Sequence, residues 1–150
     1  MGMAIPSSLK HEHGELLAEL DAATKTAGNA AEAARDLARL LRPHFKKEEE
    51  LALPPLGLLE TLAQGAMPED ADAAAALAGR FNVELSTMLG EHRAISAAVQ
   101  RLYDAASQEL RPDLGRFARQ LMLHARMEEE IYYPAAIVIG EYLVLKKGRR

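Results

Sequence analysis

The chain has 150 residues, 49% of them apolar, and a formal net charge of −4. That is long enough for one domain with a sizeable core and too apolar for a disordered chain, while the acidic balance argues against nucleic acid as a partner. There is no cysteine, which excludes disulfides, thiolate metal sites, iron–sulfur clusters and thiol nucleophiles, so any metal must be held by nitrogen and oxygen. Ala and Leu dominate and β-branched residues are sparse, which points to an all-α fold. The N-terminal stretch MGMAIPSSLK lacks the apolar core of a signal peptide, and no apolar run reaches the length of a membrane span. The expectation is a soluble, cytoplasmic protein with no membrane partner. Lys146, Lys147, Arg149 and Arg150 read as a short solvated basic tail.

In chain order, Ser7 or Ser8 caps a first helix after Pro6 that runs to about Lys25, with Leu9, His13, Leu16 and Leu20 on its inner stripe. Gly28 and Asn29 mark a turn, and Asn29 caps a second helix from about Ala30 to Leu51. Its stripe is Leu37, Leu40 or Leu41, His44, Glu48 and Leu51. Pro43 predicts a kink near Arg39–Pro43, and Pro54 and Pro55 end the helix. Residues 56–68 read as a short helical turn and a loop. A third helix runs from about Glu69 to Ser107, with Leu85, Met88, His92, Ile95, Val99 and Leu102 inward. Its length predicts either an overhanging N-terminal part or a break near Gly79–Asn82. Pro112 starts a fourth helix whose stripe is Leu114, Phe117, Leu121, His124, Glu128 and Ile131, and Pro134 breaks it. A last amphipathic piece, Ala135 to about Leu145, packs back over the end. Four long amphipathic helices with short links predict an up-down-up-down antiparallel four-helix bundle in a single domain, with its core at about 7–145.

The histidines carry the chemistry. LRPHFKKEEELALP, at 41–54, lies over LMLHARMEEEIYYP, at 121–134, so that His44 falls on His124, Glu48 on Glu128 and Pro54 on Pro134. LKHEHGELLAEL, at 9–20, lies over MLGEHRAISAAV, at 88–99, so that Glu12-His13 falls on Glu91-His92. The chain thus reads as two half-repeats, about 9–55 and 88–135, each with a Glu-His helix followed by a His-x-x-x-Glu-Glu-Glu helix. Residues four apart share a helix face, so each His-x-x-x-Glu pair can point at one cavity. In an antiparallel bundle, His13, His44, His92, His124, Glu48 and Glu128 converge on one layer.

That layer suits two metal ions. Histidine gives a neutral nitrogen ligand, and a glutamate can bridge two cations. Two octahedral cations offer about twelve positions; two bridging carboxylates fill about four, four histidines about four and a bridging water or hydroxide about two, leaving about one open position per metal. Two carboxylates on apolar faces are otherwise costly to bury. A single histidine on an apolar face is more often a hydrogen-bonded core residue; here four such histidines map onto each other in pairs. His11 lies off the stripe and reads as solvent-facing despite Glu15 four residues on. Glu49, Glu129, Glu12 and Glu91 are candidates to orient a histidine. Tyr132, one turn beyond Glu128, could approach the site, with aromatic core packing an equally good reading, and Met88, Met122 and Met127 read as packing.

These motifs, Glu12-His13, His44-Phe-Lys-Lys-Glu48, Glu91-His92 and His124-Ala-Arg-Met-Glu128 with the Tyr-Tyr-Pro that follows, resemble the hemerythrin-like, or HHE cation-binding, domain family. The resemblance implies a four-helix bundle with a non-haem di-iron centre, His13, His44, His92 and His124 as terminal ligands, and Glu48 and Glu128 as bridges. It implies two iron ions, with zinc or manganese as other candidates, and a small ligand such as O2 or NO. Family members bind oxygen, sense oxygen or iron, respond to nitric oxide or serve in iron–sulfur repair. Oxygen-carrying hemerythrin has five histidines and a His-x-x-x-x-Asp motif; the residue five after His124 here is Glu129, so the pattern looks more like the bacterial branch linked to nitric oxide and iron repair. Three functions follow: a di-iron domain in oxygen, nitric oxide or iron handling; a di-iron enzyme reducing peroxide or nitric oxide; and a redox-silent, zinc-stabilised interaction module.

Overall fold

The structure, a computed structural model, describes residues 3–148. Met1 and Gly2 of the N-terminal stretch and Arg149 and Arg150 of the basic tail lie outside the described residues; Lys146 and Lys147 are exposed. The fold is all-helical, with no strand among the described residues: α1 (Ser7–Thr24), α2 (Asn29–Lys47), a π-helical turn (Glu48–Ala52), a 3₁₀ turn (Pro54–Leu58), α3 (Leu59–Ala63), α4 (Ala71–Gln108), α5 (Pro112–Met127), a second π-helical turn (Glu128–Tyr132) and α6 (Tyr133–Gly148). α2 packs against α1 and α4, and α5 against α4 and α1. No helix among the described residues is long and apolar enough to cross a membrane.

Both predicted side-chain caps are corrected. Pro6, not a serine, occupies the position before α1, and its carbonyl accepts the N–H groups of Leu9 and Lys10 at 3.1 Å each. Asn29 is the first residue of α2 rather than its cap. The residue before it is Gly28, with φ of 99°, a backbone conformation in which glycine carries no Cβ penalty. The free N–H groups at this end are instead taken by a carboxylate from the far end of α4: Glu109 accepts from Asn29 at 2.5 Å and from Ala30 at 3.2 Å. An anion at a helix N-terminus also complements the helix dipole.

Of the prolines expected to perturb helices, Pro134 does so less than its chemistry alone suggests. α2 continues through Pro43 without interruption. Pro134 lies in the first turn of α6, and helical structure runs on from α5 through the second π turn. A π turn accounts for the behaviour at Pro134, and one also precedes Pro54. In each, the spacing widens so that Leu53 N–H donates to the Glu48 carbonyl at 2.9 Å and Tyr133 N–H to that of Glu128. Widening the ladder from four to five residues leaves one carbonyl without a donor, and a proline immediately beyond, at 54 or 134, has no N–H to lose.

The π turns also re-phase the faces. The residue five after each glutamate, Leu53 or Tyr133, turns fully inward, while Ile131, expected on the inner stripe, is 53% exposed. On α2 the ambiguity between Leu40 and Leu41 resolves to Leu41, which is buried.

α4 is one continuous 38-residue helix, about 57 Å long by its rise, with no break near Gly79–Asn82. Its N-terminal part overhangs, and α6 and the 3₁₀ turn pack along it, so α6 covers the overhang of α4. Phe81 on this overhang is fully buried, whereas Leu85 is only partly so. The α4–α6 approach is close enough that a Cβ on Gly140 would lie 2.3 Å from that of Ala78.

Two apolar clusters result. One joins α1, α2, α4 and α5 around Leu16, Leu20, Leu37, Leu41, Phe45, Leu102 and Phe117. The other joins the start of α1, the turns after α2, the overhang of α4 and α6 around Leu9, Leu53, Leu56, Phe81, Met88 and Tyr133. Because relaxation of two backbones in contact is costly, Gly140→Ala is expected to destabilise the protein by about 1–3 kcal/mol, read as a shift in the denaturant midpoint at unchanged slope.

Candidate metal centre

Each of the four inner histidines lies between a member of one apolar cluster and a member of the other: His13 between Leu9 and Leu16, His92 between Met88 and Ile95, His44 between Leu41 and Leu53, His124 between Leu121 and Tyr133. The structure therefore brings His13, His44, His92, His124, Glu48 and Glu128 into one polar layer, and all six are buried. His11 stays outside, paired with Glu15 at 3.0 Å on an exposed face.

Within the layer the six groups divide into two positions. His44, Glu48, His92 and Glu128 have donor atoms within 4.8 Å of one another, and so do His13, His124 and Glu128. Glu48 spans the two: Oε2 lies 3.4 Å from His44 Nε2 and 3.9 Å from His92 Nε2, while Oε1 lies 3.6 Å from His13 Nε2. Glu128 spans them in the opposite sense, with Oε1 3.2 Å from His92 Nε2 and Oε2 3.2 Å from His124 Nε2 and 3.6 Å from His13 Nε2. Donors held about 2.1 Å from a common cation sit roughly 3.0–3.4 Å apart, so these spacings fit a metal with little movement.

The outer faces of the rings explain which nitrogen points inward. Nδ1 of His44 lies 2.8 Å from Glu91, Nδ1 of His92 2.9 Å from Glu129 and Nδ1 of His13 3.5 Å from Glu49, and Nδ1 of His124 bonds Glu12. An ionised carboxylate only accepts, so each Nδ1 carries the hydrogen and each Nε2 is left facing the layer. Every helix that supplies a histidine, or the π turn that follows it, thereby orients a histidine on another element. Glu91 is held in turn by Lys47 at 3.0 Å. The Phe45 ring stacks on His13 at 3.8 Å with an interplanar angle of 1°.

The inward atoms are chemically exposed to one another. His13 Nε2, His44 Nε2, His124 Nε2, Glu48 Oε1 and Glu128 Oε2 are buried with no hydrogen-bond partner. Such groups cost free energy unless something satisfies them, and a cation satisfies all at once. The charge balance tells the same story. Burial disfavours the charged form of His92, but the Glu128 and Glu48 carboxylates outweigh it and push the pKa up to about 10. Burial opposes charge on His124 too, and Glu128 with Glu12 overcomes it, to about 9. His44 is raised against its burial by Glu48 and Glu91. Glu128, despite burial, is held well below the usual carboxylate range by Glu48 and by the rings of His124, His13 and His92. This is a pocket that demands positive charge.

Tyr132 does not enter the layer; it is half-buried and packs against the apolar cluster of Leu9, Phe81 and Met88. Tyr133 enters instead, because the π turn rotates it inward. Its hydroxyl donates to Glu48 Oε2 and lies 3.0 Å from His92 Nε2. Burial, then the Glu48 and Glu128 carboxylates, raises its pKa, so it remains a phenol. Sequence periodicity at 3.6 residues cannot find Tyr133; the proline four residues after each Glu-Glu-Glu, Pro54 or Pro134, is the signal that the helix changes pitch there. Phe45 and Lys47 lie beside His44 and inside a His-x-x-x-Glu spacing, where helical periodicity marks no role for them.

The hemerythrin HHE cation binding domain is the family whose profile matches, over residues 4–136, most of the chain. Neither the curated proteins nor the solved structures contain a match. With that match spanning both halves of the buried His/Glu layer, the chain belongs to the hemerythrin HHE cation-binding domain family.

Proposed function

We propose that this chain is a non-haem di-iron protein acting in oxygen, nitric oxide or iron sensing and handling. One observation carries the reading: Glu48 and Glu128 each direct one carboxylate oxygen toward each histidine pair, with the unpartnered inward atoms between them. His13 and His124 would hold one iron and His44 and His92 the other, with Glu48 and Glu128 shared between the two pairs. Nitrogen and carboxylate donors suit iron, zinc and manganese alike. The iron assignment leans on the family, and a bound iron pair would supply a redox-active centre with room for a diatomic ligand such as O2 or NO. The chain's own part is to exclude bulk water with two apolar clusters and to fix four ring orientations with Glu12, Glu49, Glu91 and Glu129.

The same reading takes the chain as one domain, core about 7–145, whose two half-repeats form an up-down-up-down antiparallel four-helix bundle and contribute matching halves of the centre. It is read as a cytoplasmic protein.

Metal and protons compete for the same atoms. In the metal-free protein His92 and His124 titrate at about 10 and about 9, above the unfolded value of 6.5. Groups raised in this way stabilise the fold fully below pH 6.5, and that stabilisation is lost as pH rises through 9 and 10. Glu128, depressed, contributes above its unfolded value of 4.5 and is lost as pH falls below it.

Protein purified without chelator, or loaded anaerobically with Fe(II), is expected to hold two metal ions per chain and to develop visible absorption bands on exposure to oxygen. A colourless, air-insensitive, zinc-filled protein would favour the structural-metal reading. His124→Ala and Glu128→Ala are each expected to cut bound metal to one ion or none, measured by elemental analysis. Glu12→Ala, which frees His124 Nδ1, is expected to weaken metal affinity by about 10- to 100-fold in a competition titration with a chelator. The metal-free protein is expected to lose stability between pH 6.5 and 10, by up to about 1.4 kcal/mol per pH unit for each histidine titrating, and metal loading to remove that dependence in parallel melts.

A further inference from the structure

The two halves of the centre are related by the internal repeat, but they are not equivalent. Tyr133 follows Glu128 by five residues, and its counterpart after Glu48 is Leu53, which brings no polar atom to the layer. The consequence is visible in which inward atoms have partners. Around the His13/His124 position, four are bare: His13 Nε2, His124 Nε2, Glu48 Oε1 and Glu128 Oε2. Around the His44/His92 position, only His44 Nε2 is bare. On that side the Tyr133 hydroxyl donates to Glu48 Oε2 and lies 3.0 Å from His92 Nε2, while Glu128 Oε1 faces His92 Nε2 at 3.2 Å. The ring is fixed in place, 1% exposed and edge-on to Phe81 with centroids 5.0 Å apart.

Resting on the dinuclear reading above, we propose that Tyr133 makes metal loading ordered: the first cation enters the His13/His124 position, and the second enters the His44/His92 position only by displacing the tyrosine hydroxyl from Glu48 and His92. The first cation satisfies four unpartnered buried atoms and has no tyrosine hydroxyl to displace. The second must break a charge-assisted hydrogen bond to the Glu48 carboxylate, and such bonds are among the stronger ones. Tyr133 is a positioning residue in this scheme. It holds Glu48 in its bridging orientation before metal arrives and makes the two cation positions unequal in affinity.

The test is an anaerobic calorimetric and absorption titration of the metal-free full chain with Co(II). Wild type is expected to bind two ions in two steps about 10- to 100-fold apart in affinity. His124→Ala is expected to lose the tight step and keep the weak one, and His44→Ala the reverse. Tyr133→Phe keeps the ring that packs on Phe81; it is expected to leave the first step unchanged and bring the second to within about threefold of it. Coincident steps in wild type, an unchanged separation in Tyr133→Phe, or loss of the weak step in His124→Ala with the tight one retained would each overturn the ordering. A weaker second step in Tyr133→Phe would overturn it too, because the hydroxyl would then be assisting the metal rather than competing with it. If Tyr133→Phe does not fold, the two histidine variants still decide which position fills first. Fewer than two cobalt ions per chain at saturation would remove the dinuclear reading and this inference together, whereas two ions bound in coincident steps would remove this inference alone.

Discussion

Two carboxylates and four imidazoles buried in a single layer, between two apolar clusters, are the constraint on which the rest of the molecule depends. Glu48 and Glu128 are 0% and 1% exposed, and an ionised carboxylate without compensation does not survive such burial. The protein compensates on the outside of the layer, where Glu12, Glu49, Glu91 and Glu129 take the Nδ1 hydrogens, and leaves the inside bare. Excess negative charge facing inward, with nitrogen lone pairs aimed at the same points, is a stable arrangement only with protons or metal cations between. The raised histidine pKa values are the proton version of that statement.

The helices are adapted to this layer as much as to their own packing. Both glutamates begin π turns, and both π turns are followed by a proline. A local widening of the helix is a known accompaniment of functional residues. Its effect here is geometrical. It brings the residue five positions on, Leu53 or Tyr133, to close the layer from the side of the second apolar cluster. The same device is used twice, and the different side chain at its end makes the surroundings of Glu48 unlike those of Glu128.

Much of this was legible in the sequence, for identifiable reasons. Histidine at helical spacing within leucine stripes, doubled at a fixed offset, places the same six residues in one layer whatever the details of helix ends. Glu12 and Glu91 precede a histidine directly and Glu49 and Glu129 follow a glutamate of the layer, so their closeness to it was also readable. What could not be read depended on departures from ideal periodicity or on distant partners. A 3.6-residue repeat carried across a π turn puts Ile131 inward and leaves Tyr132 open between the site and aromatic core packing; Ile131 is exposed and Tyr132 packs against the core. Helical structure runs on through Pro134 because the π turn before it already leaves a carbonyl without a donor. The capping of α2 by Glu109 joins residues about 80 positions apart, and nothing local to Asn29 announces it. The uninterrupted α4 follows from α6 packing along its overhang, a tertiary contact that lets Gly79 remain helical despite its low propensity.

The claim beneath all of this is that the buried layer is a two-cation site. Anomalous diffraction from crystals of the metal-loaded protein, recorded on either side of the metal absorption edge, addresses it without reference to activity. The account predicts two peaks, roughly 3–4 Å apart, one beside His13 and His124 and one beside His44 and His92, with Glu48 and Glu128 between them. A layer without anomalous density, or peaks confined to surface carboxylates, would contradict it.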